Sequence, residues 1–395
     1  MTPSNAAMYA ERLIERARIA YVAQDLEAGW RAITDAIRKA PDQPLAAFMR
    51  AQIAYASWRP AVELFERAVQ LNPGNREVLR NFLLALVSEG QGARAERLLV
   101  ALLDRDPAWL EGHTALATLR STRGDDDPER SYASACAVQP GNLPLHLAWF
   151  HRLATAQAWD RAERAQKLAE SHFPDALGVR LHRAYLSCES GHAAGDDAVF
   201  AGLDAIDDPG FDLLRVRHYL RSGEPGLAAV IAERRLSSSA ALQFWPYCSL
   251  AWRLTDDTRK GWLEGEPLFA THADLPLGAE ELGHLAVFLR ELHKMNAPYP
   301  EQSVRGGTQT DRNLLLHHDP IICALRGKIE TAVKDWRDAL PPDDAGHPLL
   351  GRKPDKVRFT GSWSVRLASG GHHSAHTHPK GWASSALYVK LPKTM

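Results

Sequence analysis

The spacing of apolar and polar residues changes period once along this chain. Over roughly the first two thirds the spacing is helical. In AVELFERAVQLNPGN, Val62, Phe65 and Val69 form an apolar stripe between charged neighbours, and Asn72, Pro73 and Gly74 punctuate it. The punctuation recurs: prolines stand at 41, 73, 107, 140, 174 and 209, at intervals of 32, 34, 33, 34 and 35 residues. Five residues before the first five prolines come Ala36, Ala68, Leu102, Ala135 and Ala169, and twelve before them Gly29, Ala61, Ala95, Pro128 and Ala162. Small residues held in register let two helices approach closely, while proline ends the second helix before the next unit begins. The pattern predicts stacked helix pairs, with distortion in the fourth unit at Pro128 and in the sixth at Asp197 and Asp204, where small residues are expected.

The register is lost between residues 245 and 300, where Trp245, Trp252 and Trp262 come close together in sequence. LGAEELGHLAVFLRELHKM then reads as an amphipathic helix, followed by a Pro- and Gly-punctuated loop, APYPEQSVRGGTQT. A second helix opens with Asp319 as N-cap and Pro320 in its first turn, carries Ile322, Leu325, Ile329, Val333 and Trp336 on one face, and stops before Pro341. After Pro354 the period becomes two. In VRFTGSWSVRL, Val357, Phe359, Trp363, Val365 and Leu367 share one face, and Arg358 and Arg366 lie on the other. SSALYVKLP, residues 384–392, is a second predicted strand.

The repeat resembles the tetratricopeptide family, whose 34-residue helix pairs stack into a superhelix. About seven units fit between residues 7 and 245. The resemblance implies a concave surface that takes a protein or peptide, with most repeat residues serving as core. Composition adds limits: 47 Lys and Arg against 48 Asp and Glu leave a formal net charge of -1, which supplies no field suited to nucleic acid or an anionic membrane as the main partner. No apolar run is long enough for a membrane span or signal peptide. Cys136, Cys188, Cys248 and Cys323 lie far apart, which disfavours a disulfide framework or a thiolate zinc site and points to a reducing, cytoplasmic setting.

Candidate chemistry is concentrated in GGHHSAHTHPKGW, with four histidines in seven positions. On an extended chain His376 and His378, two apart, project to one side and can reach one divalent metal; imidazole alone does not say which. A cupin reading finds its glycine, Gly370, six residues before His376, but Trp382 and Ala383 stand where its glutamate belongs. Over about 130 residues, through HHDP and HPLLGRKP to SWSVRL, GG, HTHPKGW and SSALYVKLP, the chain resembles 2-oxoglutarate- and Fe(II)-dependent dioxygenases that follow tetratricopeptide repeats in bacteria. The resemblance implies a double-stranded β-helix, Fe(II) and 2-oxoglutarate as cofactors, and His376 as the proximal iron ligand. His378 stands where a carboxylate usually does, as a ligand or as a neighbour that orients one. Arg366, with Arg358, is a candidate for the carboxylate of a bound cofactor. His372 and His373 belong to the loop before the pair, Trp382 and Tyr388 to packing, and His317 and His318 to the loop before the Asp319 cap.

The expected organisation is therefore α + β and multidomain: a tetratricopeptide solenoid over residues 1–245 and an incomplete, truncated oxygenase-like jelly-roll over 246–395. The family's distal histidine and cofactor-binding arginine are expected beyond the second strand, and no histidine follows His378 and no arginine follows Arg366. Little catalysis is expected of such a chain alone. The alternative is a non-catalytic interaction scaffold with a vestigial oxygenase remnant.

Overall fold

The structure is a computed structural model that describes residues 3–191, 197–295, 297–299 and 301–391. Helices pair along the chain: α1 (Pro3–Val22) with α2 (Leu26–Lys39), α3 (Pro44–Ala56) with α4 (Val62–Leu71), α5 (Arg76–Ser88) with α6 (Gly92–Leu103), α7 (Leu110–Thr122) with α8 (Arg130–Val138), and α9 (Leu143–Thr155) with α10 (Trp159–His172). Then come α11 (Leu177–Glu189), α12 (Pro209–Arg221) with α13 (Pro225–Arg234), and α14 (Ala241–Leu254) with the short α15 (Arg259–Glu264). The small residues in register are the contact points: Gly29, Ala36, Ala61, Ala68, Ala95 and Ala162 are all buried. Phe65, Leu86, Leu99 and Leu116 carry one core from the second unit into the fourth, the interlock expected when each repeat buries its apolar stripe against its neighbours.

The first five repeat prolines follow the second helices as expected, but Pro209 opens a helix: it is the first residue of α12, capped by Asp208, whose carboxylate accepts from Phe211 N at 2.8 Å. A steadier marker of the repeat is the turn inside each pair. Gln24, Trp58, Gly90, Gly124, Gln157, Gly191, Gly223 and Asp256 all have φ between 55° and 84°, the left-handed conformation that ends a helix. Asp256 extends the series into α14 and α15, and α14, which runs across residue 245, shares one core with α12 and α13. The two distorted units are visible. Pro128 is buried and α8 begins only at Arg130; after α11 the described residues hold a 3₁₀ turn, Asp197–Phe200, in place of a second helix.

Beyond the pairs lie α16 (Ala279–Glu291), strand β1 (Val304–Gln309), α17 (Pro320–Ala339) and strand β2 (Val365–His373). Asp319 caps α17 by accepting from Ile321 N at 2.9 Å, and Ile322 and Leu325 are buried against α16 and the turn at Leu314–Leu316. The strands depart from expectation. β1 lies inside the segment read as a loop, and the alternating stretch 357–364 is not a strand. Its backbone and hydroxyls bond irregularly to the turn at 310–314: Thr310 N to Ser364 O at 3.0 Å, Leu314 N to Ser362 O at 2.8 Å, and Asn313 Nδ2 to Phe359 O at 2.9 Å. Residues 384–391 form no strand either, and Pro392 lies outside the described residues. Among the described residues the sheet therefore has two strands, antiparallel, which keeps the α + β class expected while placing both strands differently from the two that were predicted.

This C-terminal segment packs on the first two repeats through their turns. Where four of the other six turns use glycine, Gln24 and Trp58 carry side chains into the contact. Gln24 Nε2 donates to Phe359 O at 2.8 Å and Gln24 Oε1 accepts from Phe359 N at 3.0 Å; Trp58 Nε1 donates to Asn313 O at 3.0 Å. The Arg312 guanidinium lies 3.9 Å from the centre of the Trp58 ring, and His318 bonds Ser57 O through both its backbone N and Nδ1. A non-glycine residue at positive φ costs of order 1 kcal/mol, which these contacts offset. A third tie reaches the fifth repeat, where buried Arg152 meets Glu301 at 2.5 Å.

Candidate functional site

The histidine pair sits just past β2. Arg305 opposes His372 and Val304 opposes His373, while Gly307 opposes Leu367, so β2 bulges between these points. The bulge needs its glycines: Gly306 has φ of 65°, and a Cβ on Gly371 would stand 2.1 Å from Gly306 O. Beyond the strand, Ser374 N bonds Ser303 O at 2.8 Å and Ser303 Oγ meets His373 Nδ1 at 2.8 Å, which anchors the chain that carries the pair.

His376 Nε2 and His378 Nε2 stand 3.1 Å apart with ring planes at 90°. Metal–nitrogen bonds of about 2.1 Å to one ion at that separation would enclose roughly 95°. His376 Nδ1 donates to Ser374 O at 2.8 Å, which makes its Nε2 an acceptor, here of a hydrogen bond from His378 Nε2 at 3.1 Å that a metal ion would replace. The His378 imidazole is held below its usual range by burial, then by the neighbouring His376 and His373. The sequence thus places the two imidazoles together, and the structure adds the carbonyl that orients one of them. No carboxylate joins them: among the described residues no group of three or more His, Cys, Asp or Glu side chains converges as a metal site.

Arg366 lies apart from the pair, exposed, opposite Thr308 near the start of β2. Burial, and secondarily the Arg366 charge, lower the affinity of His293 for a proton; His293 bridges Thr308 Oγ1 at 2.8 Å and Ser364 Oγ at 3.0 Å. Arg358 is exposed as well. Trp382 packs, with its ring 5.2 Å from Trp336 and its Nε1 on Leu349 O, whereas Tyr388, expected to pack, is exposed.

His317 and His318 take a larger part than a loop before a cap. Their rings stack at 5.1 Å, and His317 lies between Trp58 and Phe288 at 5.2 Å from each. Burial, then the neighbouring His318, push the His317 imidazole down to about 4. Its stabilising contribution is therefore complete above the ordinary histidine range near 6.5 and is lost as pH falls through 4. Acidification from pH 7 to pH 4 is expected to loosen the contact between repeats and C-terminal segment, read as lower hydrogen-exchange protection at residues 310–320 relative to the intrinsic rate at each pH. His317→Gln should flatten that dependence.

Residues 57–119 match the tetratricopeptide repeat family, and residues 361–395 match the family described as "Putative 2OG-Fe(II) oxygenase". The chain matches both over these stretches alone. The oxygenase match begins at Gly361 and contains β2, Arg366 and the histidine pair, while the repeat match spans the second turn, at Trp58, and most of α7. Similar solved structures include a tetratricopeptide repeat protein from Parabacteroides merdae, at 19% identity over 62% of this chain and 99% of that one, with a TM-score of 0.38. They also include MamA, at 14% identity over 42% and 92% with a TM-score of 0.32, and the human IFIT1 dimer with m7Gppp-AAAA, at 15% over 60% and 66% with a TM-score of 0.28. No curated protein matches the chain.

Proposed function

We propose that this chain is a protein-binding repeat scaffold whose C-terminal segment holds a divalent metal ion through His376 and His378 and corresponds to part of an oxygenase domain. The observation that carries this reading is the 3.1 Å approach of the two Nε2 atoms, one of them oriented by Ser374 O, inside the segment that matches the oxygenase family. When bound together, Fe(II) and 2-oxoglutarate supply such enzymes with O₂-dependent oxidation of a C–H bond. The residues present fit that metal in part. Two imidazoles offer adjacent coordination positions, but among the described residues no carboxylate completes a metal group with them and Arg366 is exposed on the strand, so no catalytic step is assigned. In this reading the repeats extend through α15 rather than stopping at residue 245, because α14 and α15 continue both the turn series and the core. The repeats take a protein or peptide, and four free, widely spaced cysteines suit a cytoplasmic setting.

Co(II) titrated into the whole chain should bind weakly, giving a visible absorption change that His376→Ala and His378→Ala each abolish. Succinate formation from 2-oxoglutarate with Fe(II) should stay at background. Turnover above background that depends on His376 would overturn the inactive assignment, and failure of either histidine substitution to alter Co(II) binding would overturn the metal site. The second reading, a scaffold with no metal role, is favoured by one observation: the segment is tied to the first two repeats by Gln24 and Trp58, which gives it a structural task.

A further inference from the structure

Between the first three repeats, Tyr299 and the turn at 311–316 lies a cleft of about 420 Å³, within the size range of small-ligand sites. Its walls include Tyr21 from α1, Tyr55 from α3, Leu84 from α5 and Tyr299, and Asp311 and Arg312 also line it. The Asp311 side chain is only 14% exposed. Its neighbour Arg312 comes no closer than 3.7 Å, through Nε, which is beyond hydrogen-bonding distance. The guanidinium is committed elsewhere, over the rings of Trp58 at 3.9 Å and Tyr55 at 5.1 Å, with one amino group on Tyr55 O at 3.3 Å. Asp311 therefore lines a ring-lined cleft with one long ion pair, to Arg312, and no hydrogen bond from a cation; burial raises its carboxyl and the Arg312 charge offsets that in part.

We propose that this cleft binds an alkylammonium group of about the size of a lysine side chain, with Asp311 as its counter-ion and the tyrosine rings around its methylenes. Aromatic faces and a carboxylate attract the same charge, and Arg312 already shows a cation seated on aromatic rings beside the cleft. Asp311 and Glu301 act electrostatically on Tyr299 in one sense and Arg312 in the other, so the acetate control decides whether the cleft prefers a cation. Burial first, then the Asp311 charge, raise the Tyr55 and Tyr299 phenols, so both remain protonated. The site is separate from the histidine pair and does not depend on metal there.

The test is calorimetric titration of the full chain with cadaverine, with N-acetyl-lysine N-methylamide, and with acetate as the anionic control. Both amines are expected to bind saturably and acetate not at all. Asp311→Asn should weaken amine binding by about tenfold or more. Should that variant lose its fold by circular dichroism, Tyr21→Ala at the exposed rim serves in its place, with a several-fold weakening expected. His376→Ala should leave amine binding unchanged. Equal affinity for the two amines would identify the ammonium alone as the determinant, and binding of the capped lysine only would identify a lysine presented by a protein. No amine binding at millimolar concentration, binding of acetate instead, or full affinity in a folded Asp311→Asn variant would overturn the proposal.

Discussion

Arg152→Ala is expected to destabilise the protein by roughly 3–5 kcal/mol, the range for removing one partner of a buried ion pair. Arg152 is 3% exposed and Glu129 1%, with Arg152 Nε 3.7 Å from Glu129 Oε1 and Arg152 Nη1 2.5 Å from Glu301. Arg161 approaches the other Glu129 oxygen at 2.9 Å, yet neither oxygen receives a hydrogen bond, and burial raises the Glu129 carboxyl above its usual range. Deleting Arg152 leaves that carboxylate with a single off-axis cation and also releases Glu301. Urea unfolding should report the loss. Glu301→Gln breaks only the half-exposed contact and should cost less than about 1 kcal/mol. Equal costs for the two variants would show that Glu129 and Arg152 stabilise nothing between themselves.

Trp58→Ala should cost about 3 kcal/mol, near the lower end for tryptophan because the side chain is half-buried. It removes the bond to Asn313 O, the ring under Arg312 and the ring beside His317, and it leaves a β-carbon at φ of 64°. Trp58→Gly deletes the same contacts but relaxes the backbone, so it should recover about 1 kcal/mol relative to alanine. The expected signature is faster hydrogen exchange around 310–326 in both variants, with exchange in α9 and α10 unchanged. Protection at 310–326 that survives both substitutions would show that the segment is held by other contacts.

The helix pairs were legible because their signal is local: apolar stripes at helical spacing, small residues in register and proline after the second helix all act within one unit. Pro209 shows how far such a signal reaches. It falls close to the period, yet it starts α12 where the other five follow a helix, because only three-dimensional context separates a terminator from a first-turn proline. The strands were less legible. β1 contains Gly306 and Gly307, which read as a loop until β2, some sixty residues later, supplies the ladder. Residues 357–364 alternate as a strand should, yet the turn they meet offers side-chain hydroxyls and single carbonyls in place of a regular edge. The histidine pair followed from i and i+2 spacing alone. The parts played by Gln24, Trp58 and Asp311 did not, since each depends on residues far away in the sequence, Phe359 for Gln24, Asn313 for Trp58 and the first three repeats for Asp311; the one available signal was a tryptophan at a turn where half of the units place glycine.

A stack of repeats bends easily, because each unit touches only the units on either side, and its curvature is the sum of many small, soft angles. In this protein residues 301–359 contact the first repeat at Gln24, the second at Trp58 and the fifth at Arg152. They act as a string across a bow. The curvature of the first five repeats then becomes a fixed length rather than a spring constant, and any partner that needs those repeats flatter or tighter must first unhook the string at its weaker end, Glu301.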